Sequence, residues 1–199
     1  MRIRTLMLTS ATALGLALAP AVAPAQAAAA PVPGAGTSGH CVLDVSAERP
    51  APVCFGSFTE AIARATGGRI ADAPADAGTA LKDARFRARV EDSNARGAGR
   101  SNSLADVLIG IEFEDSDFDD NEWVVTAAWG CTSSLADVDW HVAELGSYWN
   151  DQVGSYQTFS GCRAQHFEHS HFTGISMAYD TGRADMGWMD DEASSIRWS

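Results

Sequence analysis

WMDDEASS, Trp188 to Ser195, places three consecutive carboxylates, Asp190, Asp191 and Glu192, ahead of a pair of serines. The 199-residue chain already carries a formal net charge of -12. Further like charge at one spot is repulsive, so either water screens it or something positive sits among the oxygens. The charge is unevenly spread. From Leu104 to Ser199 there are eighteen acidic residues against Arg163, Arg183 and Arg197, a net of -15. From His40 to Ser103 nine basic residues nearly balance eight acidic ones. Such an acidic second half argues against nucleic acid and anionic membrane surfaces as partners. It favours cations or basic protein surfaces.

Around the acidic stretch the chain is rich in Trp, Phe, Tyr, Val and Ile, broken by turn residues. The spacing predicts strands over Val107–Phe113, Trp123–Ala128, Val142–Leu145, Ser155–Phe159, Ala164–Phe167, Ile175–Tyr179 and Ser194–Trp198. Short strands at these intervals point to an antiparallel sandwich or barrel. A degenerate repeat runs through them. One unit holds FEDSDFDD and then GSYWNDQVGSYQTF; the other holds FEHSHFTG and then MGWMDDEASSIRW. Phe167, Phe172 and Gly174 describe a folded hairpin in which the glycine takes a positive φ under a covering aromatic ring. Phe113 and Phe118 match, but Asp120 stands where the glycine should be, and Asp tolerates left-handed geometry better than most residues. The run EFEDSDFDDNE reads as a solvated hairpin tip, as charge runs usually are.

With these motifs in hand, Val107 to Ser199, about half of the chain, resembles the βγ-crystallin family. That family's domain is two Greek-key motifs, each with the aromatic/glycine hairpin and a signature of two Asn/Asp, two variable residues, Ser/Thr and Ser. Asp190-Asp191-Glu192-Ala193-Ser194-Ser195 matches the signature in full. Asn150-Asp151-Gln152-Val153-Gly154-Ser155 matches except that Gly154 replaces the hydroxyl residue. The segment with Cys131 and Cys162 around a WND turn also looks like secreted bacterial members. The resemblance implies a mainly β fold, a two-motif sandwich; the region before Leu104 has no counterpart in that fold and reads from its own residues as a small α+β N-terminal region. It also implies a calcium site in which the two turns cross and pool their oxygens, and calcium takes six to eight such ligands in irregular geometry. Carried over by position, the ligands would be Asp151, Gln152 through its carbonyl, Asp191, Glu192 through its carbonyl and Ser194, with the carbonyls of Glu114 and Glu168 second. Gly154 should leave one of two sites weak, water-completed or absent. The same turns can equally serve as structural caps, because Asp and Ser hydrogen-bond nearby backbone in turns of any fold.

The first half supplies context. Arg2 and Arg4 precede the apolar run TLMLTSATALGLALAP, and small residues follow at Ala25 and Ala27. These are the marks of a secretory signal peptide over residues 1–27, with a Pro/Gly/Ala tether over 28–39. A membrane anchor fits worse, since the run is too short to span. Export makes four cysteines a disulfide framework rather than a metal or thiol site. Of three connectivities the spacing favours Cys41–Cys54 and Cys131–Cys162. Residues 40–103 read as a disulfide-clamped hairpin, a helix over SFTEAIARATGG with a capping box at Ser57 and Glu60, a second helix over AGTALKDARFRARVEDSNAR, and a linker. Residues 104–199 form the βγ-crystallin-like domain.

His166, His169 and His171 invite a zinc site, but one lies on a strand and two on the fold-over; they read better as exposed polar residues. No G-x-S-x-G elbow occurs, so no enzyme is expected. Two functions remain: a secreted, monomeric calcium-binding or structural module, or a secreted inhibitor of metalloproteinases. Some bacterial members of the family are such inhibitors, and here the loop TSSLADVDWHV tied at Cys131 would meet the protease.

Overall fold

The stretch VLIGIEF, Val107–Phe113, is buried at every position. A strand achieves this only when both faces of its sheet are covered. The computed structural model describes residues 39–97 and 107–199, which fall within one compact unit. The expected signal peptide, nearly all of the tether, and the linker around 98–106 lie outside the described residues.

In chain order the strands are β1 (His40–Asp44), β2 (Val53–Phe55), β3 (Val107–Asp115), β4 (Asp119–Ala127), β5 (Trp140–Val142), β6 (Ser155–Thr158), β7 (Ala164–His169), β8 (Thr173–Ser176), β9 (Gly182–Arg183) and β10 (Ser195–Trp198). The helices are α1 (Phe58–Ala65), α2 (Ala77–Lys82), α3 (Ala84–Gly97) and the single turn α4 (Gly146–Trp149). One sheet has the order β2-β1-β4-β3-β6-β9, the other β5-β10-β7-β8. Each Greek key gives its third strand away. β5 leaves the first motif to pair with β10, and β9 leaves the second to pair with β6. The result is the two-motif, mainly β sandwich, with helices added outside it.

The chain packs in three layers. Between the sheets lie Ile109, Trp123, Val125, Trp149, Tyr156, Met189, Ile196 and Trp198. On the outer face of the larger sheet, Phe58, Ile62, Leu81, Phe86 and Val90 from the helices meet Leu108, Ile111, Phe113 and Val124. The change of texture near residue 104 is therefore not a break in the fold. β1 lies parallel to β4 in the same sheet, and Cys41 opposite Cys54 is disulfide-bonded across the β1–β2 hairpin. The Asn94 side chain straps α3 to β3 by accepting from Leu108 N and donating to Leu108 O. A second disulfide joins Cys131 to Cys162.

Local chemistry explains the elements. Ser57 Oγ accepts from Glu60 N, while Glu60 Oε2 accepts from Gly56 N and thereby anchors the entry to α1. The helix stops with Gly68 N donating to Ala63 O at a glycine of φ 77°. The single second helix expected from the sequence is instead α2 and α3. Asp83 adopts φ -83° and ψ 109°, ends α2, and offers its carboxylate to Arg85 N at the start of α3. Two strands sit earlier than expected. β5 ends at Val142 because the chain turns into α4 at Gly146, whose φ is 74°. β8 ends at Ser176, three residues before the expected limit at Tyr179. The two-residue β9 has no alternating pattern to reveal it.

The two folded hairpins are backbone copies of one another. Asp117 and Phe118 (φ 60° and 65°) match His171 and Phe172 (57° and 61°), and Asp120 at 62° matches Gly174 at 77°. The ring pairs Phe113–Phe118 and Phe167–Phe172 each lie 5.7 Å apart, edge to face. The ends of EFEDSDFDDNE, however, do not reach water. Glu112 and Glu122 are both 0 % exposed, because their backbone lies in sheet interior and only the middle of the run forms the tip. His166 is buried as well, contrary to its reading as an exposed residue.

Asp120→Gly should raise unfolding free energy by about 1 kcal/mol, since a side chain at positive φ costs roughly that much; chemical denaturation will measure it, and Gly174→Ala should act in the opposite direction. The buried acid at Glu122 makes stability depend on pH. Glu122 hydrogen-bonds His40 Nδ1 at 2.7 Å. Burial pushes its carboxyl up to about 8 and lowers His40, so the protonated carboxyl donates to a neutral imidazole. A carboxyl raised in the fold binds its proton more tightly folded than unfolded. Its contribution is complete below the unfolded value of 4.5 and fades as pH rises through about 8. Below pH 6.5 the lowered His40 works in the opposite sense, so it is between pH 6.5 and 8.5 that melting temperatures should fall with pH, and less steeply in Glu122→Gln.

Candidate functional site

The two signature turns lie side by side. Asp151 N donates to Ala193 O at 3.0 Å, and Asp191 N to Val153 O at 3.3 Å, so each turn caps the other. Both aspartates sit at φ 58°. Below them the preceding residues, Trp149 and Met189, are buried as plugs between the sheets. On the far side Gly154 N donates to Phe113 O and Ser194 N to Phe167 O, both at 2.9 Å. Each turn thereby rests against the hairpin of its own motif.

At one end of this pair the Ser194 hydroxyl donates to Asp151 Oδ1 at 3.2 Å, joining residues from separate motifs. Asn150 Nδ2 donates to the other carboxylate oxygen at 2.7 Å, which orients Asp151. At the opposite end stands Gly154. A Cβ there would lie 2.6 Å from the Glu114 carbonyl oxygen and 2.8 Å from Asp190 Oδ1. Asp190 is absent from the ligand set that the sequence suggests, yet it and the Glu114 carbonyl are the oxygens that converge on this position. Asp191 stands nearby in the electrostatic sense. Burial first, then Asp190, Asp115, Glu114 and Glu192, raise its carboxyl above the usual range. That repulsion is relieved by a proton or by a cation.

The remaining candidates are less engaged. Gln152 turns its amide to the Asp151 carbonyl. Glu192 is exposed, with its N–H bonded to Met189 O. The Glu168 carboxylate accepts from Ile175 N and braces its hairpin; the Glu114 carboxylate does the equivalent through the Asn121 amide. Histidines do not converge. His166 bonds Glu112 in the core, while His169 and His171 are largely exposed beside Glu168 and Glu144. Among the described residues, no three His, Cys, Asp or Glu side chains are grouped to hold a metal. The turn pair offers a different donor set of one hydroxyl, carboxylates from both turns and backbone carbonyls. An all-oxygen set of this kind suits a hard cation with irregular coordination, and not a soft one.

No protein-family model and no curated protein matches the chain. Solved structures similar to part of the chain are βγ-crystallin domains. A βγ-crystallin from Ciona intestinalis is 24% identical over 45% of this chain and 98% of its own, with a TM-score of 0.34. One from an archaeon is 17% identical over 46% and 98%, with a TM-score of 0.35. A domain of abundant perithecial protein from Neurospora crassa, in its Ca2+-bound form, is 17% identical over 47% and 90%, with a TM-score of 0.36. What the turn pair can bind is decided by its own oxygens, not by these likenesses.

Gly154 makes the two ends of the turn pair unequal, and this can be measured. Gly154→Ser should lower stability by about 1–3 kcal/mol, because its Cβ meets backbone that cannot retreat without moving the hairpin. Equal or higher stability on denaturation would mean that the hairpin yields.

Proposed function

We propose that this chain is a secreted, non-enzymatic βγ-crystallin-like protein whose paired turns bind calcium. One observation supports the reading above the others: the hydroxyl of Ser194 and the carboxylate of Asp151 are brought from separate motifs to 3.2 Å. Residues that would hold the ion are Asp151 and Ser194 at one end, with the Glu192 and Glu168 carbonyls within the same motif pair. Asp190, Asp191 and the carbonyls of Gln152 and Glu114 would serve the other end, where Gly154 brings no hydroxyl. We place the working site at the Ser194 end. The ion would supply positive charge among repelling oxygens and bind only when both turns are assembled, so it stabilises the folded state alone. Export after cleavage near Ala27 fits two disulfides. Among the described residues no helix is long and apolar enough to cross a membrane.

A second reading, inhibition of metalloproteinases, rests on the loop at 132–139. Leu135 and Val138 are exposed there, while the Cys131–Cys162 bond and hydrogen bonds from Thr132 N to Asp139 and from Asp139 N to Trp198 O pin the loop at both ends. Rigid presentation of this kind lowers the ordering cost of binding.

Thermal melts of the mature chain with calcium and with chelator separate the two. At a hundredfold excess over the dissociation constant, linkage gives about 2.7 kcal/mol, or roughly 5–10 °C for a chain of this size. Ser194→Ala and Asp151→Asn should each remove more than half of that shift, and Gly154→Ser should not enlarge it. Absence of any shift, together with inhibition of thermolysin, would replace the first reading by the second.

A further inference from the structure

A carboxylate and an imidazole meet in the middle of the apolar core, far from the turn pair in chemistry and in role. Glu112 and His166 occupy equivalent positions, each immediately before the first aromatic of its hairpin. Both are 0 % exposed, and His166 Nε2 lies 3.0 Å from Glu112 Oε2. They come from different sheets, β3 and β7, so this bond crosses the sandwich between its two motifs. The Tyr156 ring packs on His166 at 4.4 Å, and burial followed by the Glu112 carboxylate raises the Tyr156 phenol. One oxygen of the carboxylate is accounted for. The other, Oε1, has no protein partner, and neither does the indole Nε1 of fully buried Trp198.

These two atoms are chemically complementary, one an acceptor and one a donor, and they flank the same point. A Cβ added to Gly110 would stand 3.2 Å from Trp198 Nε1, 3.7 Å from Glu112 Oε1 and 3.9 Å from the Gln157 carbonyl oxygen. Gly110 follows an irregularity in the β3–β4 register, which accounts for a residue without a side chain but not for polar atoms gathered over it. We infer that one ordered water molecule sits over Gly110, accepting from Trp198 Nε1–H and donating to Glu112 Oε1. Buried waters take two to four such contacts and are retained because removing them strands the groups they serve. A side chain at Gly110 would press on Trp198 Nε1 and touch Glu112 Oε1, so only a glycine leaves the two atoms free to share a water. With the water in place the carboxylate is bonded through both oxygens, and the acid–base pair becomes a hydrated link between the motifs. This inference does not rest on the calcium reading, and its test leaves that reading untouched.

Magnetisation transfer from water to the Trp198 indole proton, in the isotope-labelled mature chain, tests it. The expected result is a cross-peak of the sign produced by a water that tumbles with the protein, kept in Tyr156→Phe so that hydroxyl exchange is not its source. Gly110→Ala should abolish the cross-peak and lower the melting temperature, although Gly→Ala at an ordinary strand φ is normally neutral or stabilising. No cross-peak in the unmodified chain overturns the proposal. So does a high-resolution crystal structure in which Trp198 Nε1 donates directly to Glu112, or a cross-peak that survives in Gly110→Ala.

Discussion

Ser155 Oγ donates to the Asp115 carbonyl at 2.6 Å and accepts from Phe118 N at 3.0 Å. Ser195 does the same for the His169 carbonyl and Phe172 N, at 2.7 and 3.0 Å. One hydroxyl thus satisfies a donor and an acceptor inside a hairpin whose backbone, with consecutive positive φ values, cannot satisfy them itself. Buried polar groups left alone cost about 1–3 kcal/mol each, so losing either serine would open a hairpin rather than merely loosen it. The last residue of each signature turn is therefore its anchor, and the position of the whole turn is set by that bond.

Once anchored, the turns are delivered to each other by the exchange of β5 and β9 between sheets. Neither motif can close its own sheet, so the sandwich forms as a pair or not at all. The mutual capping of Asp151 and Asp191 is the surface expression of that dependence, and the Glu112–His166 bond is its counterpart in the core. The helices have a different part. They cover the outer face of the larger sheet, which frees β3 from alternation and lets it be apolar throughout. Covering the outer face also buries Glu122 beside Phe113, where a simple two-layer sandwich would leave it wet; Glu112 lies on the inner face, against His166 of the other sheet.

Much of this was legible in the residues. The repeat of Phe-x4-Phe hairpins and Asn/Asp-rich turns announced two motifs, and the serine pair at Ser194 and Ser195 marked the complete turn. Ser57 with Glu60 marked a helix start. Asp120 could be read as a left-handed residue because that tolerance belongs to its own side chain. Less visible were β9, whose Gly-Arg carries no pattern, and the break at Asp83, where capping a new helix outweighed continuing the old one. Of the site, Asp151 and Ser194 could be named in advance. Asp190 could not, because its engagement depends on how closely Gly154 lets the Glu114 carbonyl approach.

The amino-acid sequence by itself determined the local geometry of hairpins, turns and helix starts, since φ preferences and short-range hydrogen bonds are properties of neighbouring residues. Only the tertiary structure decided which turn faces which hydroxyl, which acids are buried, and that β1 completes the sandwich's larger sheet. Those outcomes rest on contacts between residues dozens of positions apart, where burial of both faces of one sheet overrides what each segment's own polarity suggests.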